Sequence, residues 1–274
     1  MARDEHSLEK DGDENQEAFK AEDLSPLGVY RPGMNWNPVE KVIFERRSTR
    51  AFKPQPLPDN MIRRILEAAR FAPSAGNCQP WKFIVVKSPE ILSEMEKDAI
   101  TFAKRIMPLL DYTRSRAKRF FTRGLVKFII GRMRNVLAPQ SFGILHELAA
   151  GKARVFYDAP VLILLLTDTR GVMTPEVDSG IAGQNIVLAA HSMGAATCWL
   201  GLIKLLLHPV AGKISRKWKK FFGIKFPYEL DNVIALGYPK RRFDREVPRE
   251  VQLVPWFEGG INDPPRIDRQ GGEK

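Results

Sequence analysis

Cysteine is scarce in this chain. Its 274 residues hold two, Cys78 and Cys198. Two are too few for a disulfide framework, and neither has metal-ligand spacing, so a stapled or zinc-held fold is excluded and a reducing compartment is indicated. Long apolar runs are also missing. The longest, Val161 to Leu166, falls far short of the roughly 20 residues that cross a bilayer. The opening stretch MARDEHSLEKDGDENQEAFK has no apolar signal region, and a cytoplasmic location is therefore expected. No GxGxxG follows a strand-like run, which disfavours a dinucleotide-binding Rossmann unit. There is no GxSxG elbow, so a triad assembled from Ser74, His191 and Asp178 has no local support. Nothing matches a nucleic-acid reader module, and nucleic acid is not an expected partner.

Positive charge is plentiful but unevenly placed. The net charge is +11, while residues 1–23 carry nine acids and three bases. Residues 1–35 thus read as a disordered acidic arm. Residues 104–134 hold ten Lys or Arg and one acid, Asp111, within a basic insertion spanning 104–150. That insertion reads as a solvated lid, as a surface for an anionic substrate or an acidic electron-donor protein, or as a membrane-surface helix that would make the protein peripheral. Apolar residues make up 44%, enough for one sizeable core. The reading is a single domain over 36–258 with a flexible tail over 259–274.

Periodicity predicts helices at Val39–Arg47, from Asp59 or Asn60 as cap to Pro73, at Glu90–Met107 with Pro108 bending or ending it, at Asp178–Met193 with Gly194 closing it, and at Pro209–Phe222. Strands are expected at Trp81–Val86, at Ala159–Thr167 (central in its sheet), at Ala196–Ile203 and, last, at Val233–Tyr238.

Two segments carry the chemistry. Arg46, Arg47, Ser48 and Arg50 supply guanidinium forks and a hydroxyl within five positions. They cannot all face one way on a helix. They form either a solvated basic helix end or, on an irregular exit from the helix, a phosphate site. The second segment is Pro73-Ser74-Ala75-Gly76-Asn77-Cys78-Gln79-Pro80-Trp81. It is either an ordinary helix-to-strand loop or a surface that lets a flat ligand approach the backbone. In the latter case Asn77 and Gln79 suit the mixed donor and acceptor edge of a flavin or nucleobase. Cys78 reads as small-residue filling more readily than as a redox thiol. Cys198 and Trp81 read as packing, and Asp178 as a helix cap.

In order along the chain, RRSTRAF, ILEAARFAPSAGNCQPWKFIVV, DSGIAGQNIVLAAHSMGAATCWLG and VIALGYP followed by VPRE resemble the flavin-dependent nitroreductase family. The resemblance covers about residues 40–90 and 155–250. It implies an α+β fold with a central mixed, mainly antiparallel sheet flanked by helices, and a homodimer with FMN at its interface. Arg46, Ser48 and Arg50 would hold the phosphate and ribityl end, Arg47 contributing through its backbone. Pro73, Ser74, Ala75, Gly76 and Asn77, with Gln79, would line the phosphate, ribityl and pyrimidine portions. Cys198, Trp199, Leu200 and Gly201 would lie beside the isoalloxazine through backbone groups. Arg249 would close over the phosphate, assisted by one of Lys240, Arg241, Arg242 or Arg245. Leu200 stands where many relatives have an acidic residue.

The implied activity is ping-pong electron transfer from NADH, NADPH or reduced ferredoxin to a conjugated, nitroaromatic or anionic small-molecule acceptor. No side chain acts as nucleophile and no metal takes part. The alternatives are reductive dehalogenation, dehydrogenation or reduced-flavin chemistry on the same fold, or a non-catalytic, membrane-peripheral flavin-binding protein.

Overall fold

The computed structural model describes residues 36–110, 147–241, 249, 252–261 and 263–270. The expected acidic arm, the central part of the basic insertion, Arg242 and Arg245 lie outside the described residues. The described chain divides into two compact units, one spanning 45–244 and the other drawing on residues before 45 and after 244.

In the larger unit α2 (Asp59–Arg70) leads into β1 (Trp81–Val86), α3 (Pro89–Leu110), β2 (Val161–Asp168) and α4 (Pro175–Ser192). β3 (Ala196–Trp199), the short α5 (Lys204–Leu207), α6 (Lys213–Phe221) and β4 (Tyr228–Gly237) follow. The sheet order is β1-β2-β4-β3, and every pair is antiparallel. β2 is interior and buried along Val161–Thr167, as a strand covered on both faces must be. The alternation of its side chains defines two cores. Ile163, Leu165, Ile234 and Leu236 pack with the apolar stripe of α2 (Ile62, Ile65, Ala69) and with Ala182, Ile186 and Ala190 of α4. Leu162, Leu164, Val233 and Ala235 pack with Met95 and Phe102 of α3, Leu206 of α5 and Trp218 of α6. The Asn185 side-chain amide donates to Ala68 O (3.0 Å) and ties α4 to α2.

Several boundaries move for identifiable reasons. α2 is not capped by Asp59 or Asn60: Pro58 holds the N-cap position, and Asp59, in the first turn, pairs with Lys87. α3 runs through Pro108 to Leu110. A proline near a helix end removes a single intrahelical bond and leaves the rest of the ladder intact. The strand expected over Ala196–Ile203 ends at Trp199: Leu200 N–H makes a last ladder bond to Val233 O (2.7 Å), and Ile203 N–H then closes onto Leu200 O (3.0 Å) in a 3-10 turn, Gly201–Ile203. The helix expected over Pro209–Phe222 breaks at Gly212, whose φ of 59° a helix cannot contain. β4 starts at Tyr228 rather than Val233. Its first half alternates exposed Glu229 with buried Leu230, and Asp231, nearly buried, is ion-paired with Lys204; those acids hide the strand from a hydropathy reading.

In the smaller unit, α1 (Pro38–Glu45) opens with a capping box. Asn37 Oδ1 accepts from the N–H groups of Val39 and Glu40 (3.0 and 2.9 Å), and Glu40 Oε2 accepts from Asn37 N–H (3.0 Å). The expected flexible tail is corrected in part. β6 (Arg266–Gln270) pairs antiparallel with β5 (Gln252–Trp256), and Arg266 binds Glu258 and Asp268 while lying over the Trp256 ring. Polar composition conceals the β6 half of this hairpin, whose Arg266 is held by charge pairs.

Candidate functional site

The helix ends before the arginines, so the cationic run leaves it in extended form. Ser48 bridges Thr197 in β3, and Thr49 N–H donates to Thr197 O (2.9 Å). Phe52, wholly buried, anchors the next turn, with its N–H on Tyr157 O (3.3 Å) and Lys53 N–H on Tyr238 O (2.8 Å). Arg47 Nη1 donates to the Arg46 carbonyl (3.0 Å). The run is thereby pinned to the free edge of β3. There, burial pushes the Cys198 thiol up from its ordinary pKa, and the Arg50 and Arg46 guanidiniums pull it back. Burial likewise raises Tyr157, the Cys198 thiol adds to the rise, and Arg50 opposes both. Two guanidinium charges therefore act on the edge of β3, as a bound anion would require. Sequence reasoning missed Tyr157. Its link to Phe52 runs through a backbone carbonyl, which leaves no trace in residue type.

The Pro73–Gln79 loop is held differently. Asp178, nearly buried, is not the cap of α4. It sits in the first turn, and its Oδ2 accepts from Ala75 N–H (3.3 Å). The Ser74 hydroxyl accepts from Gln79 N–H (3.0 Å), and Asn77 N–H and Cys78 N–H close onto Ser74 O and Ala75 O (2.9 and 3.1 Å). Gly76, Asn77 and Gln79 all have left-handed φ, at 57°, 53° and 47°. Glycine adopts this freely, asparagine tolerates it, and a glutamine there is uncommon. The Gln79 amide donates to Asn77 Oδ1 (3.1 Å), so both amides form one exposed lip. Cys78 is exposed beside it.

These two halves do not meet within one unit. The loop precedes β1 at one edge of the sheet, and the Arg46–Arg50 run lines β3 at the other. Trp81 is level with Thr167, and Thr197 is level with Leu236 and hence Val161. Three strand spacings and a six-residue offset put them on the order of 20 Å apart. Two groups meant for one phosphate cannot reach it from there together.

Beside the first half, Cys198 is buried in the core and Trp199 lies over Gly183 of α4. Leu200 N–H is engaged with Val233 O, so that residue brings its position and not its N–H. Gly201 is exposed, and a Cβ there would meet nothing within 4 Å, so a flat group has open access to its backbone. Lys240, 3.8 Å from Asp158, lines a cavity of about 270 Å³ with Lys53, Gln55, Gly194, Tyr238 and Pro239. Arg241 is exposed in the same unit, and Arg249 is exposed in the other unit.

Ser74, Asp178 and His191 form no triad. His191 lies thirteen positions after Asp178 along α4, about 20 Å at helical rise. Among the described residues no group of three His, Cys, Asp or Glu could hold a metal ion, and no helix is long and apolar enough to cross a membrane.

Residues 43–238 match the sequence model of the nitroreductase family. A putative NADH dehydrogenase/NAD(P)H nitroreductase of Archaeoglobus fulgidus is 28% identical over 205 residues, covering 74% of this chain and 87% of the relative. The nitrobenzene nitroreductase of Ectopseudomonas oleovorans is 29% identical over 165 residues, covering 58% of this chain and 72% of its own. Among solved structures, a nitroreductase with bound FMN from Desulfitobacterium hafniense shares 28% identity and a TM-score of 0.58, over 78% of this chain and 96% of that one.

Proposed function

The chain belongs to the nitroreductase family and is an FMN-dependent oxidoreductase of it, and on that premise we propose that two copies assemble each site. Arg46, Ser48 and Arg50 of one copy hold the phosphate and ribityl end, with Arg47 adding backbone. The Pro73–Asn77 loop and Gln79 of the second copy close the same site. The segment Cys198–Gly201 flanks the ring. The family resemblance assigns Arg249 to the phosphate, with one of Lys240, Arg241, Arg242 or Arg245 assisting it. FMN, when bound, supplies the electron transfer, and the protein binds, orients and shields it.

The residues fit that group. The Arg50 and Arg46 guanidiniums both act on the Cys198 thiol of β3, the position of Gly201 is open, and the opposite loop combines small residues with left-handed backbone at Gly76, Asn77 and Gln79. The observation that carries the reading is that the cationic run is pinned to β3 beside this opening. The homodimer is supported by the distance between the halves, and by apolar side chains that the C-terminal hairpin leaves exposed, Leu253, Phe257 and Ile267 among them.

The electron donor is NADH, NADPH or a reduced ferredoxin, and the acceptor is a conjugated or nitroaromatic compound. Positive charge on the site's edge favours an anionic acceptor. The decisive experiment is anaerobic titration of the purified yellow protein with the three donors in parallel, followed by a panel of acceptors. Bleaching by one donor and recovery of colour with a nitroaromatic, with parallel lines in double-reciprocal plots, is the expected result. A colourless protein that takes up no FMN overturns it.

A further inference from the structure

The corner where α6 turns into β4 has a composition that the redox site does not use. From Lys213 to Tyr228 the chain carries six Lys or Arg and no acid. Trp218 and Ser215 of α6 face inward, which leaves Lys213, Arg216, Lys217 and Lys220 outward. Lys217 is held by Glu94 and Asp98 of α3; the others face solvent. Phe221 (58%), at the end of α6, and Phe226 (77%), in the turn that follows, are exposed.

A second loop adjoins this turn. Thr169 donates to Pro227 O through both its N–H and its hydroxyl (3.0 Å each), and Arg170 lies over the Phe226 ring. That loop exposes Met173 (87%). Nearby acids are few: Asp168 is paired with Arg170, and Glu229 and Glu176 are exposed.

We propose that this corner docks the protein on an anionic lipid bilayer, with Phe221, Phe226 and Met173 entering the interface and Arg170, Lys220 and Lys225 at headgroup level. Single apolar tips, separated by cations, suit a fluid interface that admits each tip independently. An acidic protein would answer the lysines, yet it would leave protruding phenylalanines without a complementary surface. The electrostatic part requires anionic headgroups and fades with salt. This assignment is independent of the cofactor, because none of these residues is placed in its site.

The test is flotation of the FMN-loaded full chain with phosphatidylcholine vesicles, plain or with about a third phosphatidylserine. Binding to the anionic vesicles alone, lost at high salt, is expected. Lys220→Gln with Lys225→Gln should weaken it, at about fivefold per charge, and Phe221→Ser with Phe226→Ser should weaken it at least as much. All four side chains are exposed, so flavin content and nitroreductase turnover in solution serve as the folding control. If the wild type fails to float, or if both double variants float as the wild type does, the proposal is overturned. An interaction that resists the phenylalanine changes but follows the lysines also overturns it, in favour of an acidic macromolecular partner.

Discussion

Single atoms decide much at Gly183, Asp178 and Cys198. A Cβ at Gly183 would stand 2.2 Å from the Trp199 ring and 2.9 Å from Leu165. Gly183→Ala should cost about 1–3 kcal/mol through overpacking, read by denaturant unfolding, and should displace Trp199 enough to alter the flavin spectrum. Asp178→Ala removes the acceptor for Ala75 N–H. A lost bond of this kind costs about 1–3 kcal/mol, and FMN retention should fall because the loop loses its tether to α4; fluorescence of released flavin on dilution measures this. The two thiols should also separate. Cys198 is buried with its pKa raised, and Cys78 is exposed. A chromogenic disulfide at neutral pH should therefore titrate one thiol in the native protein and two after unfolding.

Among the elements, α3 and α6 are joined by a polar latch. Lys217 Nζ reaches Glu94 and Asp98 (2.6 and 2.7 Å), and Asp98 also accepts from the Trp218 indole N–H (2.9 Å). Asp98 first, then Glu94, raises the Lys217 pKa through hydrogen bonding. A lysine raised on folding stabilises fully below its unfolded value, about 10.4, and the contribution is lost as pH climbs through the folded value. Lys217 is partly exposed, so solvent screening holds the gain of wild type over Lys217→Met to about 1 kcal/mol or less at pH 8. It should fall away as pH rises above about 10.4, as paired denaturation curves would show. Asp98→Ala should cost more, because the indole donor of fully buried Trp218 loses its partner.

The elements with strong apolar character were legible in the sequence. β1 begins and ends where Trp81 and Val86 predict, and β2 is interior as its unbroken apolar run implies. Elements ordered by backbone geometry or charge were not. The turn after Trp199 and the break at Gly212 depend on local backbone geometry, and Arg266 in the C-terminal hairpin is held by charge pairs, none of which a hydropathy pattern encodes. At the site, residue types could be read from the two motifs. The edge of the sheet that each motif occupies could not, because strand order is a property of the assembled fold.

At the scale of the whole molecule, the two site halves line opposite edges of one sheet. Light scattering of the yellow protein should give the mass of a pair down to low concentration, and a yellow monomer would refute the shared site. Consider two inactive versions, one lacking the cationic edge through Arg46→Ala and Arg50→Ala, the other with its loop disabled through Asn77→Pro. Neither alone can build a competent pocket. Unfolded together and renatured as a mixture, they form hybrids in which one of the two pockets inherits an intact edge from one parent and an intact loop from the other. Complementation between two dead parents, up to about half the activity of each hybrid's wild-type counterpart, is the genetic signature of that strand order.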